Sequence, residues 1–275
     1  MIKNLIKKII GKNNILKIRM LLFALNGNYL TSKPNGSETI FLELYEKCKK
    51  DIIKDDFVKE NFDKNEIDFI NDLALITQIT KKKSQNNYLH GFVISKFLKD
   101  YIKKTKNDNL TIFETGTSRG FSSIIMSNLL NNLNVKFNIH TIDILPNKKK
   151  IYWNSITDFS RGRISRKELL DKYEGCLKNI KFYHGISNEI IKKINLERIN
   201  FAFLDGSHEY DDVKEEFNFV NKLNSSGDVI IFDDYTPKHF QGVVQLVDEI
   251  YDFKTYEQII FKKNIDRGYA ILIKK

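Results

Sequence analysis

Cysteine, proline and tryptophan are scarce in this chain of 275 residues. Its two cysteines, Cys48 and Cys176, exclude a disulfide framework and a cysteine-built zinc site. Three prolines and 13 glycines exclude collagen-like and proline-linker architectures. No run approaches the ~20 apolar residues that a transmembrane helix needs. What the chain does have is a core-forming composition. Hydrophobic residues are 41% and aromatics 12%, enough for a folded domain of this length.

The formal net charge of +10 is unevenly placed. Residues 1–108 hold 21 Lys+Arg against 13 Asp+Glu, whereas residues 109–275 hold 24 against 22. Lysine accompanies an excess of isoleucine and asparagine, as in chains translated from AT-rich genes. No basic stripe interleaved with aromatics stands out, so a nucleic-acid partner is not expected. The first 25 residues carry Lys3, Lys7, Lys8, Lys12, Lys17 and Arg19 and no acid. Ile2, Leu5, Ile6, Ile9 and Ile10 recur there at helical spacing. Residues 1–30 thus read as a basic amphipathic helix, either lying on an anionic membrane or packed on the rest of the chain. The apolar run Met20–Leu25 is too short for a convincing signal peptide. The expected location is the cytoplasm, with a peripheral place at the inner membrane face if the helix touches lipid.

Residues 31–108 read as helical. Ser37 caps a helix over Glu38–Lys50, and Asn65–Thr80 and Tyr88–Lys104 share that periodicity. From Leu110 the pattern changes. Thr111–Glu114, Asn138–Asp143, Ile180–His184, Phe201–Asp205 and Val229–Asp233 read as buried parallel strands. Helices are predicted over Ser122–Asn132, Arg166–Leu177, Asn188–Ile194 and Asp211–Leu223. This alternation predicts an α/β fold over 109–275, a Rossmann-like, doubly wound and mostly parallel sheet. Tyr256–Lys262 and Tyr269–Lys274 predict an antiparallel hairpin at one edge.

The first strand runs into Glu114-Thr115-Gly116-Thr117-Ser118-Arg119-Gly120-Phe121. Small residues at 116, 118 and 120 allow a sharp strand-to-helix turn and a ligand against main-chain amides. Asp143 ends the next strand, 23 residues after Gly120, where an acid accepts hydrogen bonds from ribose hydroxyls. The spacing is G-x-x-x-G rather than the dinucleotide G-x-G-x-x-G. Glu114 would repel a pyrophosphate and suits a ligand with an ammonium group. S-Adenosylmethionine, which has a ribose and no phosphate, fits.

These residues, with Phe201-Ala202-Phe203-Leu204-Asp205-Gly206-Ser207-His208 and Val229-Ile230-Ile231-Phe232-Asp233-Asp234-Tyr235, resemble the class I S-adenosylmethionine-dependent methyltransferases. Within that class the chain is similar to the macrocin-type O-methyltransferases of sugars and small molecules, over roughly residues 88–275. The resemblance implies that Gly116, Thr117, Ser118 and Gly120, with Phe121 beside them, wrap the methionine end of the cofactor. It implies that Glu114 faces the ammonium, Asp143 the ribose, and Ile186 and Ser187 the adenine, with Asp205 bordering the site.

Asp205, Asp233 and Asp234 are predicted to meet at the carboxyl edge of the sheet, where converging carboxylates call for a cation. Oxygen ligands suit Mg²⁺, Mn²⁺ or Ca²⁺. The 28-residue separation followed by an adjacent pair resembles the metal-dependent enzymes of the class, although Asp234 stands where the catechol-type members often have Asn. Without a metal, these acids would cap a loop and border the cofactor. His208 sits at the offset where related enzymes place a general base, and a neutral imidazole can take a hydroxyl proton. His90 could reach the same crevice, with a core or surface place as the favoured reading, and His239, after Pro237, is a candidate for a mobile lid. Trp153, Tyr152, Arg161, Arg163 and Arg166, in the segment 146–178, are candidates for stacking on an acceptor ring or gripping an anion. A solvated basic helix is the other reading of that segment.

The expected activity is O-methylation of a sugar or other small-molecule hydroxyl on a glycan, glycolipid or nucleotide-sugar, in a chain that could form homo-oligomers. Two rival functions stay open on this fold: a nucleotide-dependent oxidoreductase, and a non-catalytic cofactor-binding scaffold.

Overall fold

A computed structural model describes residues 31–82, 84–252, 254–264 and 267–275. The basic segment 1–30 lies outside them. Among the described residues, four helices come first: α1 (Glu38–Ile53), α2 (Asp56–Asn61), α3 (Lys64–Thr77) and α4 (Leu89–Thr105). Then follow β1 (Asn109–Thr115), α5 (Phe121–Asn132) and β2 (Lys136–Asp143). The segment before β3 (Ile180–His184) holds α6 (Thr157–Arg161), α7 (Arg166–Leu169), a 3₁₀ turn (Asp171–Tyr173) and α8 (Glu174–Leu177). The rest is α9 (Ser187–Ile190), β4 (Phe201–Leu204), α10 (Tyr210–Leu223), β5 (Val229–Phe232), α11 (Gln241–Ile250), β6 (Tyr256–Asn264) and β7 (Arg267–Lys274).

The strands form one sheet in the order β3-β2-β1-β4-β5-β7-β6. Strands β1 to β5 are parallel, and β7 pairs antiparallel with both β5 and β6. The expected Rossmann-like sheet with a C-terminal hairpin is therefore present. The chain winds outward from β1 to β3, then returns to the other side of β1 for β4 and β5. The strand order reverses between β1 and β4, which opens a crevice at their carboxyl ends.

Alternation along each strand divides the core into two faces. Ile112, Ile139, Phe201, Phe203, Val229 and Ile231 join one apolar cluster with Phe41, Leu73, Phe92 and Leu98 of the N-terminal helices. Phe113, Ala202, Leu204, Ile230 and Phe232 face the other way, against Val213, Phe217, Leu246 and Val247. Burying each of the larger side chains stabilises the fold by about 1.5–3 kcal/mol. The N-terminal helices and the sheet thus share one core.

Several expected boundaries differ. The predicted helix Arg166–Leu177 is three short turns. Leu169 packs with Trp153 and its neighbour Leu170 enters the main core, and the first turn ends between them, with Leu170 outside helical geometry. The predicted helix Asn188–Ile194 is only α9, which ends at Ile190. Ser37 does start α1, but its hydroxyl makes no capping bond, and its carbonyl accepts the Ile40 N–H instead. By contrast, α3 opens with a reciprocal capping box between Asp63 and Glu66. No described helix is long and apolar enough to cross a membrane.

Candidate active site

The turn after β1 is set by glycine. Gly116 has φ +88°, and a Cβ there would lie 2.1 Å from the carbonyl oxygen of Asp205. Only a residue without a side chain lets the ends of β1 and β4 come this close. The Gly116 N–H is donated to Ile142 O, which ties the same turn to β2. Ser118 follows in the left-handed region with φ 48°, and Gly120 with φ 92°. The Ser118 N–H is donated to Asp143 Oδ2 at 2.6 Å, and the Leu145 N–H to Oδ1 at 2.5 Å. Asp143 therefore joins the loop after β1 to the loop after β2 and fixes both.

Glu114 points into the interior, with no solvent exposure. Its carboxylate accepts hydroxyl hydrogen bonds from Ser122, Ser123 and Thr141. Burial pushes its pKa up, and the three hydroxyls pull the other way. Thr141 also contacts Thr117 through their hydroxyls. A chain of polar groups thus runs from Glu114 to the loop at Thr117.

The acidic edge is built from β4 and β5. Asp205, His208 and Asp234 each bring one ligand atom within 4.8 Å of the others. His208 Nε2 stands 2.9 Å from Asp234 Oδ2. The imidazole is about 41% exposed, whereas the Asp234 carboxylate is nearly buried. The His208 ring also lies on Phe240, with centroids 4.2 Å apart. Gly242 at the start of α11 backs onto this loop, where a Cβ would come within 2.4 Å of His208 O. Asp233 is adjacent but outside the three-residue cluster. Its Oδ1 accepts the Asp234 N–H at 2.7 Å and so supports a backbone that has φ 57° at Asp234.

On the side of Ile186 and Ser187, the Ser187 hydroxyl donates to Glu216, which also accepts Thr115 Oγ1–H at 2.8 Å. Glu216 is fully enclosed, and burial pushes its carboxyl up to about 7, partly offset by these hydroxyls. Phe121, the first residue of α5, is buried against His90 and Tyr88.

The segment 146–178 departs from expectation. Trp153 is fully buried and donates its indole N–H to Ile164 O, so it cannot stack on an acceptor. Arg166 is only 2% exposed and donates inward to backbone carbonyls. Arg163 lies over the Tyr152 ring, and Arg161 pairs with Asp171. Trp153 and Arg166 thus pack inward while Arg161 and Arg163 stay exposed, and a wholly solvated helix is excluded. His90 is a core residue between Phe121 and Phe203, while His239 is exposed.

Sequence reasoning missed Glu216, Thr115, Thr141 and Arg119. Glu216 had a signal: it falls in the stripe Val213, Phe217, Val220 that buries α10. A lone acid on such a stripe needs partners, and Thr115 and Ser187 are those partners. The others had none, because their partners lie far away in sequence: Glu216 for Thr115, Glu114 for Thr141, and the carbonyls of Trp153 and Thr77 for Arg119.

Residues 113–235 match the protein family described as methyltransferase domain. Among solved structures, the O-methyltransferase NovP aligns with a TM-score of 0.54 at 16% identity, covering 87% of this chain and 100% of NovP. CalS11, a TDP-rhamnose 3'-O-methyltransferase of calicheamicin biosynthesis, aligns with a TM-score of 0.51 at 12% identity, over 87% of this chain and 96% of its own. The O-methyltransferase from Bacillus cereus in complex with SAH gives a TM-score of 0.50 at 16% identity, over 84% and 100%. No curated protein matches the chain.

Proposed function

We propose, from the premise that this chain is a class I S-adenosylmethionine-dependent methyltransferase, that it methylates the oxygen of a small-molecule hydroxyl, foremost a sugar hydroxyl. The observation that carries the reading is the meeting of two half-sites at one crevice. The Gly116–Gly120 turn with Asp143 forms one half, and Asp205, His208 and Asp234 form the other. They touch where Gly116 lies against the Asp205 carbonyl.

In this reading Asp143 accepts the ribose hydroxyls of the cofactor, and Ser187 and Ile186 border its adenine. The amides of the Gly116–Gly120 turn face the methionine end, with Thr117, Ser118 and Phe121 forming its walls. Glu114 acts from behind this turn through Ser122, Ser123 and Thr141. The bound sulfonium supplies the methyl group. His208 takes the proton of the acceptor hydroxyl, and the Asp234 carboxylate at 2.9 Å stabilises the imidazolium so formed. When Nε2 carries the hydrogen donated to Asp234, Nδ1 is the nitrogen free to accept that proton. Holding acceptor and cofactor at one edge supplies much of the rate through proximity.

Asp205 and Asp234 also fit a divalent cation; His208 lies in the same cluster but stays the base, since a neutral imidazole has one lone pair and cannot both bind the cation and take the proton. A cation there would stabilise negative charge developing on the acceptor oxygen. The carboxylate donors suit Mn²⁺, Mg²⁺ or Ca²⁺. Asp233 would act on this set through the Asp234 backbone.

The sugar acceptor is supported by the likeness to CalS11, whose substrate is a nucleotide-linked sugar. The cationic segment 1–30 suits an acceptor at an anionic membrane surface.

The test is calorimetric titration with S-adenosylhomocysteine and with NAD, each with and without Mn²⁺. Micromolar binding of S-adenosylhomocysteine alone supports the reading and opens a screen of nucleotide-sugars and lipid-linked sugars for methyl transfer. Binding of NAD instead would favour an oxidoreductase. S-Adenosylhomocysteine binding without turnover on any acceptor would favour a scaffold.

A further inference from the structure

We propose that Arg166 is a positioning residue for the cofactor: a buried cation, delivered by the segment between β2 and β3, that locks Ser118 and Asp143 into the geometry the ribose requires. The inference rests on the cofactor site described above. The sequence pattern does not set Arg166 apart from Arg161 and Arg163 and points all three at the acceptor, not the cofactor.

The geometry is specific. The Arg166 Nε–H is donated to Ser118 O at 2.9 Å, and Nη2–H to Leu145 O at 3.2 Å. Nη2 also lies 4.0 Å from Asp143 Oδ1. One guanidinium therefore spans both loops whose amides hold the Asp143 carboxylate, at Ser118 and Leu145. The amide and the carbonyl of Ser118 are both engaged, so its left-handed backbone is fixed from two sides. Its φ of 48° is costly for a residue with a side chain and persists only where surroundings impose it. The guanidinium plane is enclosed by Trp153 and Phe182, each 5.6 Å from it.

Two further contacts make this segment part of the cofactor site rather than a cover for it. Leu170, four residues on, occupies the space that a Cβ on Gly120 would need, at 2.7 Å. Arg119, from the cofactor turn, reaches the opposite way, donating to Trp153 O and Thr77 O. The turn and the segment thus exchange buried arginines. Arg166 Nη1 has no protein acceptor among the described residues and is buried. It is the guanidinium nitrogen left to serve a water or a cofactor atom. Burying a guanidinium whose carboxylate partner, Asp143, stands as far as 4.0 Å away is expensive for a purely structural role. A preset cofactor turn is what that cost secures.

Lysine cannot reproduce the fork that serves both carbonyls. Arg166→Lys is therefore expected to bind S-adenosylhomocysteine roughly tenfold or more weakly, the loss of about one buried charge-assisted hydrogen bond. KM for S-adenosylmethionine should rise by a similar factor, with kcat at saturating cofactor nearly unchanged. Lys178→Arg, in the same segment but on the surface, should leave both unchanged. Wild-type affinity in a folded Arg166→Lys variant overturns the proposal, as does a fall in kcat alone. Failure of the wild-type protein to bind S-adenosylhomocysteine overturns the cofactor reading beneath it instead. If Arg166→Lys does not fold, the wild-type protein decides. Its Arg166 Nε–H resonance, assigned through contacts with Trp153 and Phe182, must be protected from exchange and must move when S-adenosylhomocysteine binds. A resonance that stays in place overturns the proposal.

Discussion

Asp234 places its carboxylate 2.9 Å from the His208 imidazole while its own backbone sits in the left-handed region at φ 57°. Strain of this kind at a residue with a side chain costs on the order of 1–3 kcal/mol and is retained where geometry matters more than stability. Asp233 accepts the Asp234 N–H and helps to hold the strained residue in place.

His208→Ala should lower turnover by about 10²-fold or more while leaving S-adenosylhomocysteine affinity unchanged. Steady-state kinetics and calorimetry on the same preparation check both parts. Turnover at the wild-type level would move the base to another group. A loss of Mn²⁺ affinity alongside turnover would make the imidazole a ligand.

Removing divalent cations with a chelator should abolish turnover, and Mn²⁺ should restore it. Asp205→Asn and Asp234→Asn should each weaken Mn²⁺ binding, read by calorimetry without any assay of activity. Asp233→Asn keeps an oxygen acceptor for the Asp234 amide and should weaken binding far less. Full activity in chelator-treated protein would leave the cluster as an ion pair alone.

Glu216 makes stability depend on pH. Its carboxyl is pushed up to about 7 in the folded chain, from an ordinary 4.5, chiefly by burial. Between those values the native state keeps a proton that the unfolded chain releases. The free energy of unfolding therefore falls as pH rises through this window and levels off above it, by on the order of 3 kcal/mol in all. Glu216→Gln lacks this dependence, so its Tm should gain on that of the wild type from pH 5 to pH 7. A constant difference between the two would mean that Glu216 stays ionised throughout.

Gly116→Ala tests the contact between the half-sites. The new Cβ meets the backbone of Asp205, not a side chain that could move aside, and φ +88° strains any substitute. Folding should be weakened by about 1–3 kcal/mol or more, and cofactor binding should suffer in whatever folds. Thermal melts with and without S-adenosylhomocysteine measure the two effects. Unaltered melting and affinity would show that the ends of β1 and β4 can part at no cost.

Much of the architecture was legible because its signals are local. Runs such as Val229–Phe232 and Phe201–Leu204 are apolar at every position, as central parallel strands must be. The turn Gly116–Gly120 and the acids Asp143, Asp205 and Asp234 could be read at the ends of such runs. Most of what escaped depends on partners far apart in sequence. Arg166 and Trp153 look like surface candidates until Ser118, Leu145 and Ile164 are brought around them. Asp233 and Asp234 are equivalent in sequence, and only the left-handed turn between them sends one carboxylate to His208 and the other to a backbone amide. Helix α11 went unread although Val243, Leu246, Val247 and Ile250 recur at helical spacing, so its signal was local and available. Packing of Val243, Leu246 and Val247 on the sheet makes it a helix.

The hairpin of β6 and β7 also protects the protein from itself. Strand β7 lies between β5 and β6, so β5 is paired on both sides, and its four residues Val229-Ile230-Ile231-Phe232 are buried. Before the hairpin docks, or in a chain truncated ahead of it, that wholly apolar strand is an open edge. It carries neither charge nor proline to deter a second copy from pairing with it. β6 takes over as the outer strand, and it carries Glu257 and Gln258 among its apolar residues. Shielding β5 from self-association during synthesis is thus a second duty of the element that completes the sheet.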